Sequence, residues 1–294
     1  MDQPSASSKS VGSAAHLVGR RDLISGAACA SLIAVGHPRI AQRQSGAAAA
    51  PDLRDLLEAR TARLPSGSLP YRLLRPGSDE SGKRPLVILL HGSGAIGSDN
   101  AAQLGPLVRS WATDESRRRF PSFVVAPQVS VRSVDYGPDS DELPSSRPGP
   151  AYALILEFVD WALSTLPIDC SRVYVMGFSM GGSTALRLLL DRPRTFAGAV
   201  ALGAVPPPRS RAPEAVYTPV LLVHGEEDSE NPAAGALAWA HALRAAGGGP
   251  TARLYPGVGH QPPPDFLAAP DWQEWLFAQA RSEVQVVGRD KAQT

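Results

Sequence analysis

Three residues of this 294-residue chain have the types needed for nucleophilic catalysis: Ser179, Asp228 and His260. A serine hydroxyl is a weak nucleophile at neutral pH, so it needs a positioned base and a group that orients the base. Ser179 sits in Gly177-Phe178-Ser179-Met180-Gly181-Gly182. The run Arg172-Val173-Tyr174-Val175-Met176 before it reads as a buried strand, and residues 183–190 after it read as a helix. A G-x-S-x-G segment at such a junction makes a tight, strained turn that lifts the serine hydroxyl above the sheet. Side chains at Gly177 and Gly181 would strike neighbouring backbone, which accounts for the glycines.

The base and its orienter should follow on later loops, in the order acid then histidine. Val220-Leu221-Leu222-Val223-His224-Gly225 reads as a strand and turn, and Glu226-Glu227-Asp228 follows at once. Any of these three acids could serve; Asp228 is the preferred reading. Ala252-Arg253-Leu254-Tyr255 reads as a short last strand, and Pro256-Gly257-Val258-Gly259 then presents His260. The separations of 49 and 32 residues each leave room for a helix and a strand. His16 and His37 lie in the N-terminal segment, His91 and His224 brace turns at strand ends, and His241 lies on a predicted helix. Only His260 follows the last strand. Oxyanion donors are expected from the N–H of Met180 and from Ser93 or Gly94 in the turn after Leu86-Val87-Ile88-Leu89-Leu90.

Several blocks together resemble the α/β-hydrolase superfamily, in its dienelactone hydrolase and phospholipase/carboxylesterase branch, which includes esterase-like peptidases. They are Leu90-His91-Gly92-Ser93-Gly94, Gly97-Ser98-Asp99-Asn100, Val125-Ala126-Pro127-Gln128, the Ser179 hexapeptide, His224 to Asp228 with Pro232, and Gly257-Val258-Gly259-His260. The resemblance implies a serine carboxylic-ester hydrolase with its triad at Ser179, Asp228 and His260. The run Gln261-Pro262-Pro263-Pro264 and the segment from Val129 to Pro150 match no pattern of that branch.

The chain ends and composition narrow the class further. A length of 294 residues suits one large α/β domain, assigned to residues 51–285 with a tail at 286–294. A formal charge of +1 gives no draw toward nucleic acid. Residues 1–50 read as an export leader and linker: Arg20-Arg21 precede the mildly apolar run from Ser25 to Gly36, which matches a twin-arginine signal. That run is too short for a membrane span, so no stable insertion is expected. A cytoplasmic enzyme with an alanine-rich tail is the alternative, and a lipoprotein through Cys29 a weaker one. Cys170 reads as a small buried apolar residue. No cofactor and no metal are implied, because no Cys/His cluster has ligand spacing.

Coarse periodicity completes the frame. An amphipathic helix is expected from Pro51 to Leu64, with Leu53, Leu56, Leu57 and Leu64 on one side. Tyr71 to Arg75 reads as an edge strand and Phe123 to Ala126 as a central one. Helices are expected around Tyr152 to Leu166, Ala233 to Ala246 and Trp272 to Leu276, and another strand from Phe196 to Leu202. Alternating strands and helices predict an α/β fold with a doubly wound, mostly parallel sheet covered by helices on both faces. Two segments, Val129 to Pro150 and Pro206 to Arg211, are expected to shape the substrate site. Trp111 is assigned to the core. With no apolar helical lid in the sequence, short or soluble ester substrates are expected, free or polymer-derived. A peptidase, a thioesterase, an acyltransferase and a non-catalytic binding protein retaining the fold are the competing readings.

Overall fold

A computed structural model describes residues 51–77, 82–139 and 143–281. The segment read as an export leader, Cys29 and the C-terminal tail lie outside them. The described elements run in chain order as α1 (Leu53–Leu56), β1 (Glu58–Leu64), β2 (Gly67–Leu74), β3 (Arg84–Leu90), α2 (Pro106–Ala112), α3 (Asp114–Arg119) and β4 (Phe123–Pro127). A hairpin of β5 (Val134–Pro138) and β6 (Pro144–Pro148) follows, then α4 (Tyr152–Thr165), β7 (Ile168–Phe178), α5 (Met180–Asp191) and β8 (Gly198–Leu202). The chain continues with β9 (Val220–Gly225), α6 (Ala233–Ala245), β10 (Pro250–Tyr255), α7 (Pro264–Ala268) and α8 (Asp271–Phe277).

Eight strands form one sheet in the order β1-β2-β4-β3-β7-β8-β9-β10. The pairs β1–β2 and β2–β4 are antiparallel, and every pair from β4 to β10 is parallel. The apolar runs explain the burial on both sides, because successive side chains leave a strand on opposite faces. Leu86, Ile88 and Leu90 of β3 pack with α4, α5 and α6, whereas Val87 and Leu89 pack with α2 and α8. Val173 and Val175 of β7 likewise oppose Tyr174 and Met176. Trp111 is indeed core: its ring meets Trp272 edge-on at 5.5 Å and its Nε1–H points at Met176 Sδ, 3.2 Å away.

Four expectations need correction. The helix predicted from Pro51 to Leu64 ends at Leu56, and Glu58–Leu64 instead pairs with β2 through the two-residue turn Pro65-Ser66. The leucine spacing mimics a helix stripe, but the turn lets the segment satisfy its backbone in a ladder. Consequently β2 is an interior strand and β1 is the edge. The segment from Val129 to Pro150 is no open loop, since β5 and β6 pair across it and bury Ser145 and Ser146. Finally, Cys170 is exposed: it lies in the stretch 169–172, which is only partly covered, between buried Ile168 and the buried run that starts at Val173.

Candidate active site

Ser179 stands at the junction of β7 and α5 with φ +56° and ψ −120°. A non-glycine residue held there costs about 1–3 kcal/mol, a strain the surrounding chain must impose. The glycines show how it does so. A Cβ on Gly177 would lie 2.4 Å from the carbonyl carbon of Gly181, and one on Gly181 would lie 2.0 Å from Leu90 O. Helix α5 therefore starts directly against the end of β3. Ser179 itself is 7% exposed.

The structure brings the three predicted residues into one hydrogen-bonded chain. His260 Nε2 is 2.9 Å from Ser179 Oγ, and His260 Nδ1 is 2.8 Å from Asp228 Oδ2. A carboxylate oxygen accepts, so Nδ1 carries the proton and Nε2 is left to accept from the serine hydroxyl. Asp228 is the acid of the three: Glu226 and Glu227 are exposed, whereas Asp228 is buried. Its Oδ1 accepts from Glu230 N at 3.1 Å and Asn231 N at 2.8 Å, which leaves Oδ2 for the imidazole. The loop carrying His260 reaches this point because β9 ends in glycine. A Cβ on Gly225 would lie 2.1 Å from Val258 O. The Phe178 ring packs on His260 with centroids 4.9 Å apart.

The expected oxyanion donors lie on two segments next to Ser179. Met180 is the first residue of α5, so its N–H has no intrahelical acceptor. Ser93 and Gly94 open a short 3₁₀ turn, and their N–H groups are likewise unclaimed by it. The turn abuts the serine: a Cβ on Gly92 would lie 3.6 Å from Ser179 Cβ. Buried Gln128 fixes the chain beyond it, accepting from Asn100 N at 2.6 Å and donating to Asp99 Oδ1 at 2.8 Å. Its role was hidden in the sequence, where only its place in the Val125–Gln128 block marks it.

Three further histidines lie among the described residues, and none of them is bonded to Ser179 Oγ. His91 accepts from Val129 N through Nε2 and donates to Gly92 O through Nδ1, so it braces the turn. Burial pushes its pKa below the ordinary histidine value. His224 is buried too, with the same downward shift from burial. His241 is exposed.

Both segments expected to shape the site pack beside it. Tyr136 of β5 reaches Ser183 Oγ at 3.2 Å, one helical turn from Ser179. Ser146 N donates to Pro206 O, and Pro206 and Pro207 are buried, so the proline run is packed against the hairpin. Next to Phe178 and Gly92, which adjoin Ser179, a cavity of about 100 Å³ is lined by Leu90, Gly92, Leu107, Val108, Phe178 and Pro262. Pro262 gives the unmatched run after His260 a place in the site.

A mostly parallel sheet covered by helices on both faces, with a strained serine after a central strand and an acid–histidine pair on the following loops, defines an α/β-hydrolase. The phospholipase/carboxylesterase family profile matches residues 150–271. A protein of Oryza sativa subsp. japonica described as a carboxylesterase is 31% identical over 60% of this chain and 71% of its own. NocK of Nocardia uniformis subsp. tsuyamanensis, described as an esterase, is 28% identical over 51% of this chain and 41% of its own. A thermostable esterase of known structure superimposes with a TM-score of 0.68 at 26% identity, covering 77% of this chain and 64% of that one. The chain thus spans less than two thirds of these last two proteins. It belongs to the phospholipase/carboxylesterase family of α/β-hydrolases.

Proposed function

We propose that this protein is a serine carboxylic-ester hydrolase working through an acyl-enzyme. The observation that carries the reading is the continuous chain from Ser179 Oγ through both nitrogens of His260 to Asp228 Oδ2. Ser179 Oγ attacks the ester carbonyl while its proton passes to His260 Nε2. Negative charge on the carbonyl oxygen is met by Met180 N–H and by the N–H of Ser93 or Gly94. The C–O bond then breaks, and the leaving alcohol takes the proton from Nε2. Water repeats the sequence on the acyl-enzyme, giving the acid and free Ser179. Asp228 holds the imidazole in the required tautomer throughout.

The adjoining cavity supports short ester chains as substrates. An apolar cavity of about 150 Å³ accommodates benzene, so about 100 Å³ suits some four heavy atoms. Small esters, free or released from a polymer, fit this site. Export through the Arg20-Arg21 leader is part of the same proposal.

The test is labelling of the purified protein with a fluorophosphonate, the adduct being located by peptide mass mapping. An adduct on Ser179, absent in Ser179→Ala and weakened in His260→Ala, is expected. A folded sample that takes no label would overturn the reading and favour a binding protein. Matched butyrate ester, thioester and anilide substrates then separate esterase from thioesterase and peptidase.

A further inference from the structure

His224 occupies the penultimate position of β9, where Val220, Leu221, Leu222 and Val223 before it are all apolar and buried. A hydrophobic residue would continue that pattern. Instead the strand buries an imidazole whose side chain is only 1% exposed. Its Nδ1 has no hydrogen-bond partner among the described residues. A buried orphan acceptor is costly, so its presence calls for a compensating role of the other nitrogen.

That nitrogen is well placed. His224 Nε2 lies 2.6 Å from Asn231 O and 3.4 Å from Asp228 Oδ2. Both neighbours accept, so Nε2 carries the proton and the ring is the neutral Nε2–H tautomer. Asn231 is held at three points: His224 binds its carbonyl, its N–H binds Asp228 Oδ1, and its Nδ2 binds Gly203 O at 2.7 Å. The result is a closed clamp. The N–H groups of Asn231 and Glu230 together occupy Oδ1 of Asp228, and the His224 N–H faces Oδ2 beside the imidazole of His260. Gly203 shuts the remaining side, where a Cβ would lie 3.5 Å from both Asp228 Oδ2 and His260 Cε1.

We infer that His224 is a positioning residue for the Asp228–His260 pair: its Nε2–H fixes the acid loop through Asn231 and aims Asp228 Oδ2 at His260 Nδ1. The inference rests on the hydrolase reading above, because its consequence is a correctly aimed base. Bracing a strand end alone would leave catalysis untouched once the protein is folded.

The experiment compares the full-length wild type with His224→Leu and His224→Gln, using p-nitrophenyl butyrate hydrolysis and proton NMR of the low-field His260 Nδ1–H signal. Glutamine can place an N–H near the position of Nε2; leucine cannot. Leucine is expected to lower kcat about ten- to a hundredfold with KM within about twofold, the signature of misplaced machinery with binding intact. The low-field signal should shift or broaden in that variant, and glutamine should restore both readouts. Unchanged kcat and signal in His224→Leu would overturn the inference, as would equal losses in both variants. Should His224→Leu fail to fold, nitrogen-15 spectra of wild-type histidines decide. The Nε2–H tautomer is expected at neutral pH, and the Nδ1–H tautomer would overturn the clamp. A wild type that hydrolyses nothing and takes no fluorophosphonate would refute the hydrolase reading instead, and the NMR signals would still report on the clamp.

Discussion

Phe178 and His260 are in ring contact, 4.9 Å between centroids and tilted by 36°, although 82 residues separate them in sequence. The residue that precedes Ser179 thus also forms one wall of the seat of His260. Phe178 lines the cavity as well, so it couples three parts of the site. Phe178→Ala is expected to loosen the imidazole and enlarge the cavity together. Steady-state kinetics should show kcat for a butyrate ester down by about tenfold or more, with longer acyl chains losing less.

Removing a member of the hydrogen-bonded chain has a larger effect. Asp228→Asn should lower kcat by about 10⁴, because an amide can hold the imidazole in the wrong tautomer. Ser179→Ala should fall to a similar residual rate and lose covalent labelling. The two losses should not add in the double variant, since the residues act as a unit. Kinetics of the two single variants and the double variant check this.

Close backbone approaches make Gly181 and Gly225 intolerant for different reasons. Gly181→Ala drives a methyl into Leu90 O, between α5 and β3, so the fold itself should weaken by several kcal/mol in chemical denaturation. Gly225→Ala meets Val258 O on the loop leading to His260. There the expected result is a modest fall in melting temperature with a disproportionate fall in kcat.

Stability should decline on mild acidification. Burial lowers the pKa of His91 and His224 in the folded chain, so the unfolded chain takes up their protons first as the pH falls. Their contribution to stability is complete above the unfolded value of about 6.5 and is lost as the pH falls toward the folded values. Melting temperature measured from pH 8 to pH 5 should therefore drop, and His91→Gln, which removes one titrating group, should flatten the decline.

Export is tested in cells of a host with a twin-arginine pathway. Arg20→Lys with Arg21→Lys should leave the protein inside the cytoplasm, whereas the unaltered chain should be recovered outside it with a shortened N-terminus. Cell fractionation and N-terminal sequencing read both outcomes.

The nucleophile turn was legible because its geometry allows almost no substitutes: glycine at 177 and 181 is demanded by backbone at 2.4 and 2.0 Å. The acid was legible because it follows the apolar run Val220 to Val223, and the histidine because a glycine-rich turn presents it after the short last strand. What escaped detection depended on partners distant in sequence. In β1 only Ala62 is buried, so no alternation marks the strand, and leucines at 53, 56, 57 and 64 imitate a helix. The hairpin of β5 and β6 buries Ser145 and Ser146 with one aliphatic residue, Val134, which hides it among polar, proline-rich chain. His224 reads as a strand-end residue until Asn231, seven positions on, folds back onto it.

The β1 hairpin also settles how the sheet ends. A parallel sheet terminating at β4 would offer a flat, buried-type strand with a free row of amides and carbonyls to any other extended chain. The antiparallel return places β1 there instead, with Glu58, Arg60 and Arg63 along an exposed strand and Glu58 bridged to Arg60 and Arg75. Charged side chains on an edge discourage strand-to-strand association. The parallel strands can then remain in register behind it, and the rigidity they give the serine, acid and histidine loops leaves no self-adhesive border on that side.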